Sequence, residues 1–227
     1  MNPVEIEELA SKVPLFGNLT GRELKTLCSV MVARQFEPGE VILREDDEES
    51  HTFFIIASGS VHVAVLSTEG KQTILATLKK GEFFGEMAIL DGEPRSASVF
   101  AAQSCVLLML YRRDFIQTLQ DYPKISIHML VEMSRRLRKS NRHINTLSLM
   151  SVYGRIAEVI LQLGRDQGNR IGGVTVIENR PTHQILADMA GTSRETVSRV
   201  LSQLQKKRYI HMDRKKMVIL NEEKLYY

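Results

Sequence analysis

The chain has 227 residues, 43% hydrophobic and 25% charged, which is an ordinary soluble composition and enough for one large or two small domains. Its net charge of +3 is unevenly distributed: residues 1–150 carry 17 Lys and Arg against 19 Asp and Glu, and residues 151–227 carry 13 against 8. The basic C-terminal third suggests that this part of the chain meets nucleic acid.

The sequence also excludes several classes of protein. No apolar run approaches the roughly 18 residues of a membrane-spanning helix, and the acidic N-terminus lacks the basic-then-apolar pattern of a signal peptide. We therefore expect a cytoplasmic protein that does not contact a membrane. Cys28 and Cys105 form no metal-binding spacing and indicate core thiols in a reducing compartment. An iron–sulfur sensor needs about four cysteine ligands, so two cysteines exclude that class.

The first half of the chain predicts helices followed by short strands. Residues 3–33 are predicted to be helical, and Thr20 with Glu23 forms a capping box before an apolar-periodic segment. From residue 36 to about 110, apolar runs alternate with glycine turns at a spacing typical of a closed or sandwiched antiparallel sheet. The predicted strands are 41–43, 53–56, 61–65 and 106–110, and the turns are Pro38-Gly39, Ser58-Gly59, Glu69-Gly70 and Lys80-Gly81.

Residues 81–100 (GEFFGEMAILDGEPRSASVF) indicate a ligand site. Gly85 allows a sharp turn and a close ligand approach, and the next five residues predict one or two helical turns whose N–H groups suit a phosphate. Arg95, expected to be an exposed pocket side chain, would add a guanidinium, and Ser96 a hydroxyl. Glu86 would repel a phosphate but could bind a sugar hydroxyl. Together these three side chains favour a sugar phosphate as the ligand. The alternative is a β-turn with a surface ion pair between Glu86 and Arg95.

Residues 124–153 contain neither Gly nor Pro and predict one long helix of about 40 Å. Six of its positions, spaced alternately three and four residues apart, form a heptad seam: Leu130, Met133, Leu137, Ser140, Ile144 and Leu147. The simplest partner for such a seam is the same helix of a second subunit. Packing against the chain's own core is the alternative.

The C-terminal part predicts a new domain. Ser151 is a good N-cap for a helix from Tyr153 to about Leu163, which places the domain boundary at Met150–Ser151. A turn-rich stretch and a short strand at residues 174–177 follow.

Residues 182–210 predict a helix-turn-helix, since two helices, each with a capping residue (Thr182 and Ser193), flank a turn at Gly191. The second helix would present Arg194, Glu195, Ser198 and Arg199 outward, where arginine can read guanine and glutamate can accept from cytosine. A solvated helix surface is the alternative. Residues 209–212 and 217–220 predict a hairpin wing, with Lys215 in a basic turn near phosphates.

Two of these motifs carry a family resemblance. GEMAILDGEPRSA (85–97) resembles the phosphate-binding cassette of the cyclic-nucleotide-binding domain, and SRETVSR (193–199) resembles the recognition helix of the CRP/FNR family of bacterial regulators. The resemblance implies an α+β fold with an N-terminal cyclic-nucleotide-binding β-roll (jelly-roll-like), a long dimerisation helix and a C-terminal winged helix-turn-helix. It implies a sensor domain at 1–150, including the dimerisation helix at about 124–150, and a DNA-binding domain at 151–227.

The resemblance also assigns roles within the cassette. Glu86 would bind the ribose 2′-hydroxyl beside Gly85, and Arg95 and Ser96 would bind the cyclic phosphate. Arg136 matches a family arginine that pairs with the cassette glutamate.

Further roles follow by position. Ser140 and Asn141 stand where the family contacts the purine base, one of them from the opposite subunit. They depart from the Thr-Ser pair of the best-known members, so purine selectivity stays open. The implied DNA contacts are Thr182, His183, Ser193, Arg194, Glu195, Ser198, Arg199 and Lys215.

These features predict a homodimeric transcription regulator that binds palindromic operators under the control of a cyclic nucleotide, with cAMP as the expected ligand and RNA polymerase as a further partner. The chain has no P-loop, GxSxG motif, metal-ligand cluster or catalytic Cys–His spacing, so we expect neither an enzyme nor a metal protein. The alternatives are a related regulator that responds to cGMP, cyclic di-GMP or haem, or one that is active without a ligand.

Overall fold

The computed structural model describes residues 2–47, 51–66, 72–213 and 215–225, without the side chains of residues 142, 143 and 145–148. The turn predicted at Glu69-Gly70 and the side chain of Leu147 lie outside the described part. The backbone forms two compact units, Met1–Leu137 and Arg138–Tyr227, and each is described by itself.

The N-terminal helices are shorter than predicted. Helix α1 spans Pro3–Ser11, a 3-10 turn spans Pro14–Phe16, and α2 spans Gly21–Cys28. The capping box is confirmed, because the Glu23 carboxylate accepts the Thr20 N–H at 2.7 Å while the Thr20 hydroxyl accepts the Glu23 N–H at 3.4 Å. The end of the predicted helical segment is wrong, since residues 32 and 33 already belong to a strand.

Within the described part of residues 32–111, eight strands form two antiparallel four-stranded sheets, as the predicted sandwich requires. One sheet has the order β1-β8-β3-β6 and the other β2-β7-β4-β5. The strands are β1 Val32–Phe36, β2 Val41–Leu43, β3 Thr52–Ser58, β4 Ser60–Leu66, β5 Gln72–Lys79, β6 Phe83–Phe84, β7 Ser98–Ala101 and β8 Cys105–Tyr111. The one-turn helix α3, Met87–Leu90, interrupts them between β6 and β7.

Strand β3 is buried on both faces. Its side chains point alternately to the two faces, so neighbouring residues enter different clusters. Phe53 and Ile55 pack with the flanking helices, whereas Phe54 and Ile56 pack between the two sheets. Phe54 stacks on Phe84 of β6 at 5.0 Å between ring centroids. The β1-β8-β3-β6 sheet therefore has a hydrophobic core on each side. Its strand β6 leads directly into the cassette.

Two helices follow the sheets: α4, Arg112–Asp121, which the sequence did not predict, and α5, Pro123–Leu149. The start of α5 packs on the N-terminal core through Ile125 and Met129. Further along, α5 exposes a stripe of large apolar side chains: Ile127, Leu130, Val131, Leu137 and Ile144. The heptad prediction therefore corresponds to an apolar face that the described chain leaves uncovered.

The second unit is a winged helix-turn-helix, as predicted. Its sheet has the order β11-β12-β10-β9. The elements are α6 Val152–Gln167, β9 Asn169–Ile171, β10 Val174–Ile177, α7 His183–Ala190, α8 Arg194–Lys206, β11 Ile210–Met212, β12 Met217–Ile219 and a 3-10 turn Glu223–Leu225. Residue 214 in the wing lies outside the description. The predicted boundary at Met150–Ser151 falls at the break between α5 and α6, whereas the compact units divide within α5, so that boundary remains a prediction.

Gly59 and Gly39 allow a matched test of turn geometry. Gly59 has φ +82°, and a Cβ there would lie 2.5 Å from both Cys105 Cβ and Ser104 O, whereas Gly39 has φ +85° with open space around that position. We predict that Gly39→Ala costs about 1–2 kcal/mol through its left-handed backbone alone. Gly59→Ala should cost about 1–3 kcal/mol more by overpacking. Urea unfolding of both variants measures the difference, and equal losses would show that the hairpin relaxes around the added methyl group.

Candidate functional site

The cassette turn depends on Gly85, which connects β6 to α3. Its φ is +81°, and a Cβ at this position would lie 2.8 Å from Thr52 O and 3.0 Å from Arg95 Nη1. An alanine would therefore meet both an unfavourable backbone conformation and a backbone carbonyl that cannot move easily.

Arg95 is buried, not exposed as the sequence predicted, with only 3% of its surface accessible. Its Nη1 donates to Gly85 O at 2.7 Å, and its Nη2 donates to Thr52 O at 2.9 Å. Burial lowers the pKa of Arg95, while Asp47 and Glu86 act in the opposite direction. The side chain thus organises the turn as well as lying at the predicted phosphate position.

Glu86 is the second buried charge of the cassette, with 4% of its surface accessible. Arg136, from α5, donates through Nη1 to Glu86 Oε1 at 3.3 Å and through Nη2 to Phe83 O at 2.5 Å. The guanidinium also lies over the Phe83 ring, 4.5 Å from its centroid. Burial raises the pKa of Glu86, and Arg136 is the main group that opposes this shift. The pair expected from the resemblance is therefore present.

Ser96 is the exposed member of the set. Its hydroxyl lies 3.7 Å from the sulfur of Met87, to which it can donate. The helix that follows the turn has only four residues, so its dipole is too small to carry much of the predicted phosphate binding. Arg95 and Ser96 remain as the groups suited to an anion.

Ser140 and Asn141 are exposed residues of α5 in the part that belongs to the second unit. Their purine contacts remain a prediction.

In the second unit, local hydrogen bonds build the helix-turn-helix. The Thr182 hydroxyl accepts the Ile185 N–H and the Ser193 hydroxyl accepts the Thr196 N–H, each at 3.3 Å. Gly191 ends α7 in the left-handed conformation, with φ 59°. Both predicted caps are confirmed, which means that the two hydroxyls are committed to the backbone as well as lying near the predicted DNA face.

The predicted base-reading residues differ in exposure. Arg194, Glu195 and Arg199 of α8 are exposed, as expected of a recognition surface. Ser198 is half-buried, and its hydroxyl lies 2.8 Å from His183 Nδ1 on α7. Lys215 is exposed in the wing turn. The structure thus brings His183 and Ser198 together. They are 15 residues apart in the sequence, and this contact was not predicted.

Arg155 has a structural role that the sequence did not predict. From α6 it donates through Nε to Ala190 O at 2.9 Å and through Nη2 to Gly191 O at 3.2 Å. These carbonyls end α7, so Arg155 fixes the helix-turn-helix turn from a third helix. A single arginine in an amphipathic helix carries no sequence signal for this contact.

Two family models match the chain: the cyclic nucleotide-binding domain over residues 33–122 and the Crp-like helix-turn-helix domain over residues 154–226. The cyclic AMP receptor protein of Thermus thermophilus is 36% identical over 191 residues, which are 84% of this chain and 85% of that protein. This chain belongs to the CRP/FNR family of transcription regulators.

Other relatives agree. The cAMP-activated global transcriptional regulator CRP of Escherichia coli is 32% identical over 183 residues, 80% of this chain and 87% of that protein. The solved structure of the c-di-GMP-responsive global regulator CLP of Xanthomonas campestris is 25% identical, with a TM-score of 0.76 over 86% of this chain and 95% of that one.

The family settles the class of the protein. The family consists of DNA-binding, cyclic-nucleotide-binding regulators and not of enzymes, as the sequence predicted. None of the described helices is long and apolar enough to cross a membrane. Among the described residues, no three His, Cys, Asp or Glu side chains gather as a metal site would require.

The Glu86–Arg136 pair gives a test of the site's electrostatics. Arg136→Met keeps apolar length beside Phe83 but removes the cation. We predict a loss of about 3 kcal/mol in unfolding free energy at neutral pH, because a buried carboxylate loses its main compensating charge.

The sign of the pH dependence follows from the pKa of Glu86, which burial already raises. Without Arg136 that pKa rises further, and a carboxyl with a raised folded-state pKa loses stability as pH increases through that value. The destabilisation should therefore grow from about pH 4 upward and should be smaller in a Glu86→Gln background. Urea unfolding at several pH values, with and without Glu86→Gln, measures both effects. A loss that is independent of pH and equal in both backgrounds would contradict the assignment.

Proposed function

We propose that this regulator is a cAMP-responsive homodimer that binds pseudo-palindromic operators. The observation that carries the ligand assignment is the convergence of Glu86 and Arg95 on the Gly85 turn, with the exposed Ser96 hydroxyl beside them. A cyclic phosphate would offset the burial of the Arg95 cation, and a ribose hydroxyl would donate to Glu86.

Cyclic di-GMP is the second candidate ligand, and the similarity to the c-di-GMP-responsive CLP structure is the reason to keep it. The two curated relatives described above are named for cAMP, which supports the first candidate. cGMP and ligand-free activity remain further alternatives. Ser140 and Asn141, proposed to meet the purine edge, both carry groups that can donate and accept, so they do not by themselves select adenine.

The proposed dimer uses the exposed apolar stripe of α5. Leu130, Leu137 and Ile144 are each more than half exposed and recur at seven-residue intervals. Large apolar side chains in such a row are costly in water, and an identical helix offers the complementary row.

A two-fold dimer would place its two recognition helices in successive major grooves, at half-sites about one helical turn apart. Arg194, Glu195 and Arg199 are the proposed base-reading residues, because all three are exposed on the first turns of α8. Lys215 is the proposed phosphate contact. Family resemblance proposes TGTGA-like half-sites, RNA polymerase as a further partner, and a cytoplasmic location with the DNA.

Ligand and operator binding test this function together. Calorimetry with cAMP, cGMP and cyclic di-GMP identifies the ligand, and fluorescence anisotropy measures operator affinity with and without it. We expect cAMP to bind and to tighten operator binding about 5- to 150-fold, a coupling of about 1–3 kcal/mol.

Ser96→Ala should weaken cAMP binding about three- to tenfold through one lost hydrogen bond without changing the melting temperature.

Arg95→Ala should weaken cAMP binding at least about tenfold. It should also lower the melting temperature of the ligand-free protein, because Gly85 O and Thr52 O lose their donor. Wild-type affinity for cAMP in both variants would overturn the cassette assignment. Equal operator affinity with and without every cyclic nucleotide would instead favour a ligand-independent regulator.

Leu137 tests the proposed dimer. Leu137→Asp places a charge in the seam and should yield monomers by sedimentation, together with loss of operator binding. Lys139→Asp is the control, since it adds an aspartate at an exposed position of α5 outside the seam. A dimer that survives Leu137→Asp would show that the interface lies elsewhere.

A further inference from the structure

His183 joins the two helices of the helix-turn-helix on the side that carries the predicted DNA contacts. It is the first residue of α7, and its Nδ1 lies 2.8 Å from the Ser198 hydroxyl of α8. Ser198 lies directly before the exposed Arg199, and the exposed N-cap Thr182 lies directly before His183. The imidazole is half-buried and thus held in place next to the proposed DNA surface.

Among the described residues, two cations from different elements act on His183. Arg180 belongs to the segment between β10 and α7, and Arg194 is the first residue of α8. Burial lowers the pKa of His183 below its ordinary value, and these two arginines lower it further. Both effects favour the neutral imidazole in the free protein.

We propose that His183 is a proton-linked DNA contact: it takes up a proton from solvent when a backbone phosphate of the DNA binds between it and the two arginines. The inference rests on the proposed function, which assigns this face to DNA. It adds that operator affinity depends on pH through one identified side chain per subunit.

The chemistry of the imidazole supports this coupling. In the neutral ring one nitrogen donates and the other accepts, so Nδ1 can exchange either role with the Ser198 hydroxyl. In the protonated ring both nitrogens donate. Nδ1–H is then committed to the Ser198 oxygen, and Nε2–H becomes a charge-assisted donor for a phosphate oxygen. The phosphate also offsets the repulsion from Arg180 and Arg194, which together with burial disfavours protonation of the ring.

The direction of the effect follows from linkage. A phosphate raises the pKa of His183 in the complex above its value in the free protein, so DNA binding takes up protons between these two pKa values. The additional affinity for DNA is fully present below the pKa of His183 in the free protein. It is lost as the pH rises through the pKa of His183 in the complex. A shift of about one pKa unit changes the affinity about tenfold for each subunit.

The test compares the wild type with His183→Gln, whose amide can still bond Ser198 but cannot titrate. The probes are a duplex with two TGTGA-like half-sites and an unrelated duplex of equal length, with cAMP at saturation. Anisotropy from about pH 5.5 to 8.5 should show wild-type affinity falling by about tenfold or more with rising pH on both duplexes. Any titration in the ligand site is common to both proteins, so the difference between them isolates His183.

His211→Gln is the matched control, since His211 is an exposed histidine of strand β11 in the same unit. It should keep the wild-type pH dependence, whereas His183→Gln should reduce the slope. Calorimetry in buffers of different ionisation enthalpy should show proton uptake for the wild type and the control, and less for His183→Gln.

The outcomes separate the two hypotheses. A His183→Gln variant that melts like the wild type, binds the operator and keeps the full pH slope and proton uptake would overturn this proposal alone. A wild type that binds neither duplex at any pH would overturn the assignment of the DNA face, and this proposal with it. Loss of operator binding in Arg194→Ala, with the slope unchanged in His183→Gln, would keep the DNA face and reject the proton linkage.

Discussion

The ion pair between Glu86 and Arg136 is the interaction on which the proposed ligand site depends. A carboxylate with 4% of its surface accessible is costly unless a cation compensates it, and Arg136 supplies that cation from α5. The same guanidinium bonds the Phe83 carbonyl and lies over the Phe83 ring, so one side chain ties α5 to β6 and to the cassette turn. The next residue, Leu137, faces solvent in the proposed seam. A single turn of α5 therefore faces the proposed ligand site on one side and the proposed dimer seam on the other.

Arg95 is a structural element of the cassette as well as a proposed binding residue. Its bonds to Gly85 O and Thr52 O hold the turn against β3, and the absence of a Cβ at Gly85 makes room for the guanidinium. A substitution at Arg95 consequently changes the shape of the turn as well as its charge. Ser96 is the cleaner probe of anion binding, since its exposed hydroxyl bonds no backbone group among the described residues.

The parts that could be predicted from the sequence are those set by contacts within one turn of helix or one hairpin. The caps at Thr20, Thr182 and Ser193 join residues three apart, and the turn at Gly191 needs one glycine.

The residues that determine the proposed sites are instead held by contacts between residues far apart in the sequence. The burial of Arg95 depends on Thr52, 43 residues away, and Arg155 reaches carbonyls 35 and 36 residues away. Local patterns carry no information about such contacts, so the burial of Arg95, the contacts of Arg155 and the His183–Ser198 pair could not be predicted from the sequence.

Both proposed sites share an electrostatic design in which the free protein disfavours a charge that a ligand would favour. Burial opposes the cation of Arg95, as burial and two arginines oppose a cation at His183. An anionic ligand reverses the balance in each case: a cyclic phosphate would stabilise buried Arg95, and a DNA phosphate would stabilise protonated His183. At Arg95 a bound phosphate would therefore relieve an unfavourable charge state that is already present, whereas at His183 the phosphate would favour a charge that the free protein disfavours. Affinity obtained in this way requires the opposite charge at the right position, so it discriminates against neutral molecules of similar shape.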